Sequence, residues 1–159
     1  MVNLFGTGIR DLHPFFFFSK KEKEKILKAI HDAEKTSSLE IRVHVGMNRK
    51  GSNLEQDARD LFLKLGIQKT KRRTGILIYL CTTRKEFCVI ADEGVQSKVD
   101  CALWSQLTCD AENQFKGNCF AAGIEQIVKR LVAVTQKDLP RDPNDKNELI
   151  DNISYSLIS

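Results

Sequence analysis

The residues from Thr74 to Lys98 constrain the fold more than any other part of the chain. They contain two apolar runs, residues 76–81 and 87–91, which are separated by a short polar segment. The run 76–81 is unbroken and rich in β-branched and aromatic residues, which is typical of a strand that is covered on both faces and predicts a central strand. The run 87–91 follows after about five polar residues, so the two together predict a central β-hairpin.

The second predicted strand ends in acidic residues, Asp92 and Glu93, followed by Gly94. Carboxylates at the end of a strand are a common place for a binding site. With Asp100, at the start of the next predicted helix, they offer the oxygen ligands that Ca²⁺ or Mg²⁺ requires. The alternative is structural: Asp92 caps a turn, Glu93 is solvated and Asp100 lies at a helix N-terminus, where the helix dipole favours a carboxylate.

The segment before the hairpin predicts a helix and a strand. Ser19 and Glu22 have the spacing of a capping box, which opens a helix. Residues 40–45 alternate strictly, which predicts a strand with one polar face. That polar face carries Glu40, Arg42 and His44, which either hold an anion or form a charge-paired patch.

Three further helices are predicted. A second capping box begins at Ser52 and opens a helix for which Gly66 is the C-cap. A third helix carries apolar residues at helical spacing from Leu103 and ends at Gly117, and a fourth spans residues 120–134.

The order of these elements predicts an α/β fold: three α/β/α layers around a small mixed β-sheet that contains the central hairpin, flanked by about four helices. The chain divides into an aromatic-rich N-terminal segment (1–18), the α/β domain (19–135) and a polar C-terminal tail (136–159). Four phenylalanines end the first segment, and we expect some of them to pack on the core. We expect the tip of the tail to dock as an extended segment through Ile153 and Tyr155.

Composition narrows the class of protein. The 159 residues fit one domain, and the net charge of +4 implies no extended phosphate-binding surface. The basic cluster at residues 69–73 is interpreted as a solvated connector rather than a contact to nucleic acid or to acidic headgroups. Five cysteines without a CxxC pair favour a reducing, cytoplasmic setting. No apolar stretch approaches the ~20 residues of a transmembrane helix, so no transmembrane segment is expected.

Several local sequences, in the same order, resemble those of the TPM domain family. They are residues 38–43 (SLEIRV), 65–66 (LG), 74–80 (TGILIYL), 91–95 (ADEGV), 115–124 (FKGNCFAAGI) and 147–154 (NELIDNIS). The resemblance covers the chain from about residue 15 onward and implies a small α/β module. Many members of that family carry a signal peptide and a membrane anchor. They are linked to photosystem repair, to receptor accessory roles, or to an acid phosphatase activity with bound divalent cations. The anchored branch tends to read GYGLE where this chain reads ADEGV.

The sequence lacks the known templates for phosphoryl transfer. It has no Cys-x5-Arg loop, no Asp-x-Asp pair and no GxxxxGK[ST] loop. We therefore expect a non-enzymatic or weakly catalytic binding or accessory module with a protein partner and a divalent-cation site formed by Asp92, Glu93 and Asp100. The alternative is a metal-dependent, acid phosphatase-like hydrolase that uses the same carboxylates.

Overall fold

Four strands form one mixed sheet in the computed structural model, which describes residues 12–47, 53–141, 143–144 and 153–157. The strands are β1 (Glu40–Gly46), β2 (Gly75–Cys81), β3 (Glu86–Ala91) and β4 (Ile153–Ser156). The helices are α1 (Lys20–Thr36), α2 (Leu54–Lys64), α3 (Glu93–Gln96), α4 (Cys101–Lys116) and α5 (Phe120–Thr135). The predicted mixed α/β fold is confirmed, and α3 is a short helix that the sequence did not predict.

The predicted hairpin is formed by β2 and β3. The two strands pair antiparallel, with Ile78 opposite Val89, and the turn between them is completed by Lys85, whose φ is +55°. β1 pairs parallel with β2 and also parallel with β4, which gives the order β3-β2-β1-β4. β2 is therefore an interior strand, as its apolar sequence indicates, and β3 lies at an edge.

The sheet separates two apolar cores because successive side chains of a strand point to opposite faces. Ile76, Ile78 and Leu80 of β2 face the larger core, together with buried residues of α1, α4 and α5. The intervening side chains of β2 face a smaller core under α2. This arrangement gives the three α/β/α layers.

The start of α1 follows the sequence prediction. Ser19 and Glu22 form a complete capping box: the Ser19 hydroxyl accepts from the Glu22 N–H, and the Glu22 carboxylate accepts from the Ser19 N–H. The phenylalanines before it divide as expected. Phe17 and Phe18 are buried, and the Phe17 ring meets Phe120 of α5 edge-on at 4.9 Å, whereas Phe15 and Phe16 are exposed.

The start of α2 differs from the prediction. The N-cap is Asn53, whose side-chain oxygen accepts from the N–H groups of Glu55 and Gln56. The helix therefore begins one residue later than a box opened by Ser52 requires, because the Asn53 side chain already satisfies two of the free N–H groups. Ser52 itself lies outside the described residues, as do residues 1–11 of the N-terminal segment. Gly66 ends α2 in a left-handed conformation, with φ +72°.

The described parts of the tail contact the domain at two places. Ser38 donates its N–H to the carbonyl of Leu139, and Ile153 of β4 is buried opposite Val43 of β1. Residues 145–152 of the tail lie outside the described part of the chain. Among the helices that the structure describes, none is both long and apolar enough to cross a lipid bilayer.

The docking of β4 can be tested with two substitutions in the same tail. Ile153→Ala should lower the free energy of unfolding by about 2–4 kcal/mol, since it removes a buried side chain from the larger core. Leu157→Ala, at an exposed position four residues on, should change it by less than about 0.5 kcal/mol. Denaturant titration measures both values, and equal values for the two variants would show that the tail does not dock.

Candidate functional site

The acidic turn after β3 holds the first predicted ligand, Asp92, which is only 5% exposed. Its Oδ1 accepts from Nε and Nη2 of Arg73, at 3.1 and 2.9 Å, and from the N–H of Glu93 at 2.8 Å. Asp92 is the N-cap of α3. Because a buried carboxylate is stable only when it is paired, the ion pair with Arg73 accounts for the burial of Asp92.

The backbone around this ion pair is tightly locked. Asp92 donates its N–H to the carbonyl of Gly75, and Gly94 donates to the carbonyl of Arg73. A Cβ at Gly94 would lie 2.6 Å from the carbonyl oxygen of Arg72, so only glycine allows this approach. Arg73 has φ +55°, a conformation that is rare for a residue with a side chain. The ion pair therefore helps to hold a strained loop.

The other two predicted ligands, Glu93 and Asp100, have different surroundings from Asp92. Glu93 has 84% of its side chain exposed and lies 3.6 Å from Arg73 Nη2. Asp100 is the N-cap of α4 and accepts from the Leu103 N–H at 2.7 Å. Within the described ranges, no group of three or more His, Cys, Asp or Glu side chains is placed to hold a metal ion. The three carboxylates thus fit a cation poorly as they stand.

One atom of this cluster has no hydrogen-bond partner within the part of the chain that the structure covers. It is Oδ2 of Asp92, which is buried while Oδ1 accepts all the hydrogen bonds of the carboxylate. An unsatisfied buried oxygen requires an explanation, such as a bound water or ion. It is the strongest structural argument for a cation at this turn.

A groove begins beside the acidic turn and follows the outer edge of β3. One part, of about 300 Å³, is lined by the strand itself, by α2 on one side and by α4 on the other. A second part, of about 280 Å³, shares Val89, Ala91 and Gln96 with the first and extends to Val99, Cys101 and Trp104. We call the two parts together the β3 groove.

The thiol in the β3 groove is unsuited to nucleophilic chemistry. Burial of Cys88, followed by the nearby Glu55 carboxylate, raises the pKa of this thiol to about 12. The thiol therefore stays protonated at neutral pH, whereas the thiolate is the reactive form.

A second polar cluster lies on β1, on the strand face for which the sequence predicted polar residues. That face is largely covered: His44 is only 2% exposed, and Glu40 is also buried. His44 Nδ1 lies 2.8 Å from Ser154 Oγ, and Nε2 lies 2.9 Å from Ser156 Oγ. The two serines of β4 thus satisfy both ring nitrogens, which is why the face can be buried.

The His44 cluster is structural rather than catalytic. Ser154 Oγ also lies 3.4 Å from the carbonyl of Val43, so Nδ1–H donates to Ser154 and the Ser156 hydroxyl donates to Nε2. Burial, then the charges of Arg42 and Lys64, lower the pKa of His44 to about 4. A base this weak activates a serine poorly at neutral pH. The alternation of Ser154 and Ser156 in the tail was the one sequence signal for this contact.

In two other candidate surfaces, the groove between α1 and α5 and the basic cluster at residues 69–73, charged side chains bind other groups of the same chain. The groove between α1 and α5, of about 410 Å³, carries Glu125, which pairs with Lys25 at 3.2 Å and with Lys129 at 2.7 Å. In the basic cluster at residues 69–73, Arg72 donates to the carbonyl of Pro140 and Arg73 pairs with Asp92. These contacts favour a structural interpretation of both surfaces.

The fold and the turn define a three-layer α/β/α module with an acidic strand end. The family model for the TPM domain matches residues 16–134. The chain therefore belongs to the TPM domain family, as the sequence resemblance implied.

Two solved structures show the same fold. The BA42 protein of the psychrophilic bacterium Bizionia argentinensis is 31% identical, with a TM-score of 0.79, and the match covers 87% of this chain and 95% of that one. The N-terminal domain of a protein from P. gingivalis is 18% identical, with a TM-score of 0.64, over 86% of this chain and 84% of that one. The comparison with curated proteins gave no match.

The buried imidazole predicts a loss of stability in acid. The pKa of His44 is about 4 in the folded chain against an ordinary value of 6.5, so between these values the unfolded chain binds a proton that the folded chain does not. Stability should therefore fall as the pH drops from about 6.5 to about 4, by roughly 3 kcal/mol from this group.

Urea unfolding at a series of pH values measures this effect. The difference in unfolding free energy between wild type and His44→Gln should narrow across that range, since the variant has no imidazole at this position. His31→Gln, which removes a histidine from an exposed position of α1, should keep the wild-type profile. A constant difference between wild type and His44→Gln would contradict the assignment.

Proposed function

We propose that this TPM-domain chain is a non-catalytic binding module for a protein partner, with the β3 groove as its binding surface. The observation that carries the proposal is that two of the three predicted metal ligands, Asp92 and Asp100, already make structural contacts. Asp92 pairs with Arg73 and caps α3, and Asp100 caps α4. Carboxylates engaged in this way are poorly available for acid–base chemistry.

The lining of the β3 groove supports a binding role. Its ionisable side chains among the described residues are Glu55, Arg59, Cys88, Cys101 and Glu112. Arg59 and Glu55 pair with each other at 2.7 Å, and Cys88 stays protonated at neutral pH. The groove thus offers an apolar and polar contact surface rather than a nucleophile next to a base.

The five thiols support a reducing compartment, which we propose to be the cytoplasm. Cys81, Cys88, Cys101, Cys109 and Cys119 are all free, and three of them are exposed. Exposed free thiols are typical of proteins kept in a reducing environment.

The alternative function is that of a metal-dependent, acid phosphatase-like hydrolase. One observation favours it: Oδ2 of Asp92 is buried without a hydrogen-bond partner, and a divalent cation such as Ca²⁺ or Mg²⁺ would satisfy it. In that case Asp92 and Glu93, with Asp100, would be the protein ligands, and Arg73 would have to release part of its contact with Asp92.

Turnover of a phosphate ester separates the two functions. We expect the hydrolysis of p-nitrophenyl phosphate by wild type to be the same with Ca²⁺, with Mg²⁺ and with a chelator, and to be unchanged in Glu93→Gln. Glu93 is the best probe because its exposed carboxylate can be removed with little effect on the fold. Turnover that the chelator abolishes and that Glu93→Gln lowers at least tenfold would establish the hydrolase instead.

Asp92 needs a matched pair of variants, because it also caps α3. Asp92→Asn keeps a good N-cap residue and removes the charge, whereas Asp92→Ala removes both. We expect Asp92→Ala to be the less stable of the two by about 0.5–2 kcal/mol in denaturant titration. Neither variant should alter hydrolysis, and a specific loss in the folded Asp92→Asn protein would again favour the hydrolase.

A further inference from the structure

The outer edge of β3 presents backbone groups without partners. β3 pairs with β2 on one side, and the sheet as described has no strand on its other side. In an antiparallel pair, alternate residues direct both their N–H and their C=O to the neighbouring strand. Asp92 donates its N–H to the carbonyl of Gly75 at the start of β2. By the two-residue repeat, Ile90, Cys88 and Glu86 also direct their backbone groups inward, toward β2. Phe87, Val89 and Ala91 therefore direct their backbone groups outward.

The contact of Gln96 confirms this direction. Its side-chain amide donates to the carbonyl of Ala91 at 2.7 Å, as expected for a carbonyl that does not pair with β2. The remaining outward groups are the N–H groups of Phe87, Val89 and Ala91 and the carbonyls of Phe87 and Val89. In the hydrogen bonds of the described residues, none of these five has a partner. They recur every second residue, which is the spacing that an added strand requires.

The walls of the β3 groove fit the side chains of one extended segment. Such a segment directs successive side chains alternately to the two faces of the sheet. On the α4 face they would meet Val99 and Trp104, which line the groove together with Ala91, and Glu112, which lines it together with Phe87. On the α2 face they would meet Glu55 and Arg59, which already pair with each other.

We infer that the β3 groove binds an extended segment of a partner protein as a fifth strand of the sheet. This inference rests on the proposed binding function and names its ligand class. The segment has apolar residues at the positions that face Val99 and Trp104, and a basic residue at the position that faces Glu112. Main-chain hydrogen bonds supply affinity in this mode of recognition, and the alternate side chains supply specificity.

A second copy of the chain fits the edge less well. Helices α2 and α4 both line the groove, one on each face of the sheet. A β3–β3 contact between two copies would bring the α2 and α4 helices of each copy against those of the other.

The test uses a random decapeptide library, selected on the immobilised full chain and counter-selected on Val89→Pro. Proline at this position removes an outward N–H and none of the hydrogen bonds to β2. We expect enriched peptides that bind wild type at least tenfold more tightly than Val89→Pro in fluorescence anisotropy. Glu112→Lys should weaken the binding of a peptide that has a basic residue at the position facing Glu112. Replacing that basic residue of the peptide with an acidic one should restore the affinity.

N-methylation of the peptide, one amide at a time, makes the test independent of the stability of Val89→Pro. Methyl groups on alternate amides should weaken binding at least tenfold, and those on the intervening amides less than about threefold, because only every second N–H faces β3.

Three results would overturn the inference. They are the absence of any peptide that prefers wild type, an N-methyl profile without a period of two, and self-association of the chain that Val89→Pro abolishes. A peptide that binds without the alternating N-methyl profile, or that shifts the NMR signals of the α1–α5 groove instead, would rule out binding as a fifth strand. The proposed binding function would then still hold. Chelator-sensitive phosphate-ester turnover would remove the binding function itself.

Discussion

The burial of β2 on both faces is the constraint on which the rest of the structure depends. All seven of its residues are buried, and they alternate between a core under α1, α4 and α5 and a core under α2. A buried strand must satisfy its backbone groups on both edges, because an unpaired N–H or C=O away from water is costly. β1 and β3 provide these partners, and the helices cover the two faces. The three layers follow from this one strand.

The same need to pair buried polar groups explains the acidic turn. Asp92 follows directly on β3, where the chain bends back over the loop that enters β2. Its carboxylate is buried there and meets the only charge that reaches it at hydrogen-bonding distance in the described residues, that of Arg73. Arg73 adopts its unusual backbone conformation at that point. Asp92, which looks like a metal ligand in the sequence, is therefore also one half of an ion pair that joins two loops.

Local signals in the sequence predicted the local structure well. The hairpin, the capping box at Ser19, the left-handed Gly66 and the extents of α4 and α5 follow from residue spacing alone. The structural alternative to metal binding places Asp92 at a turn and Asp100 at a helix N-terminus, and both carboxylates accept the backbone hydrogen bond that such a position offers. The start of α2 was missed by one residue because Ser52 and Asn53 are both good N-cap residues.

Long-range contacts were harder to predict. His44 lies on a strand that reads as half polar, and its partners Ser154 and Ser156 are 110 and 112 residues away. Nothing near His44 in the sequence indicates that both ring nitrogens are satisfied. The β3 groove depends in the same way on which strand lies at the edge of the sheet, and the order of strands is a property of the whole chain.

The position of β4 has a consequence for how the protein is made. β1 is synthesised early, yet one of its two neighbours comes from residues 153–156. Until those residues leave the ribosome, one side of β1 is open and the His44 ring lacks both of its hydroxyl partners. The nascent chain therefore carries an incomplete sheet until residues 153–156 emerge, and β1 completes its pairing only then.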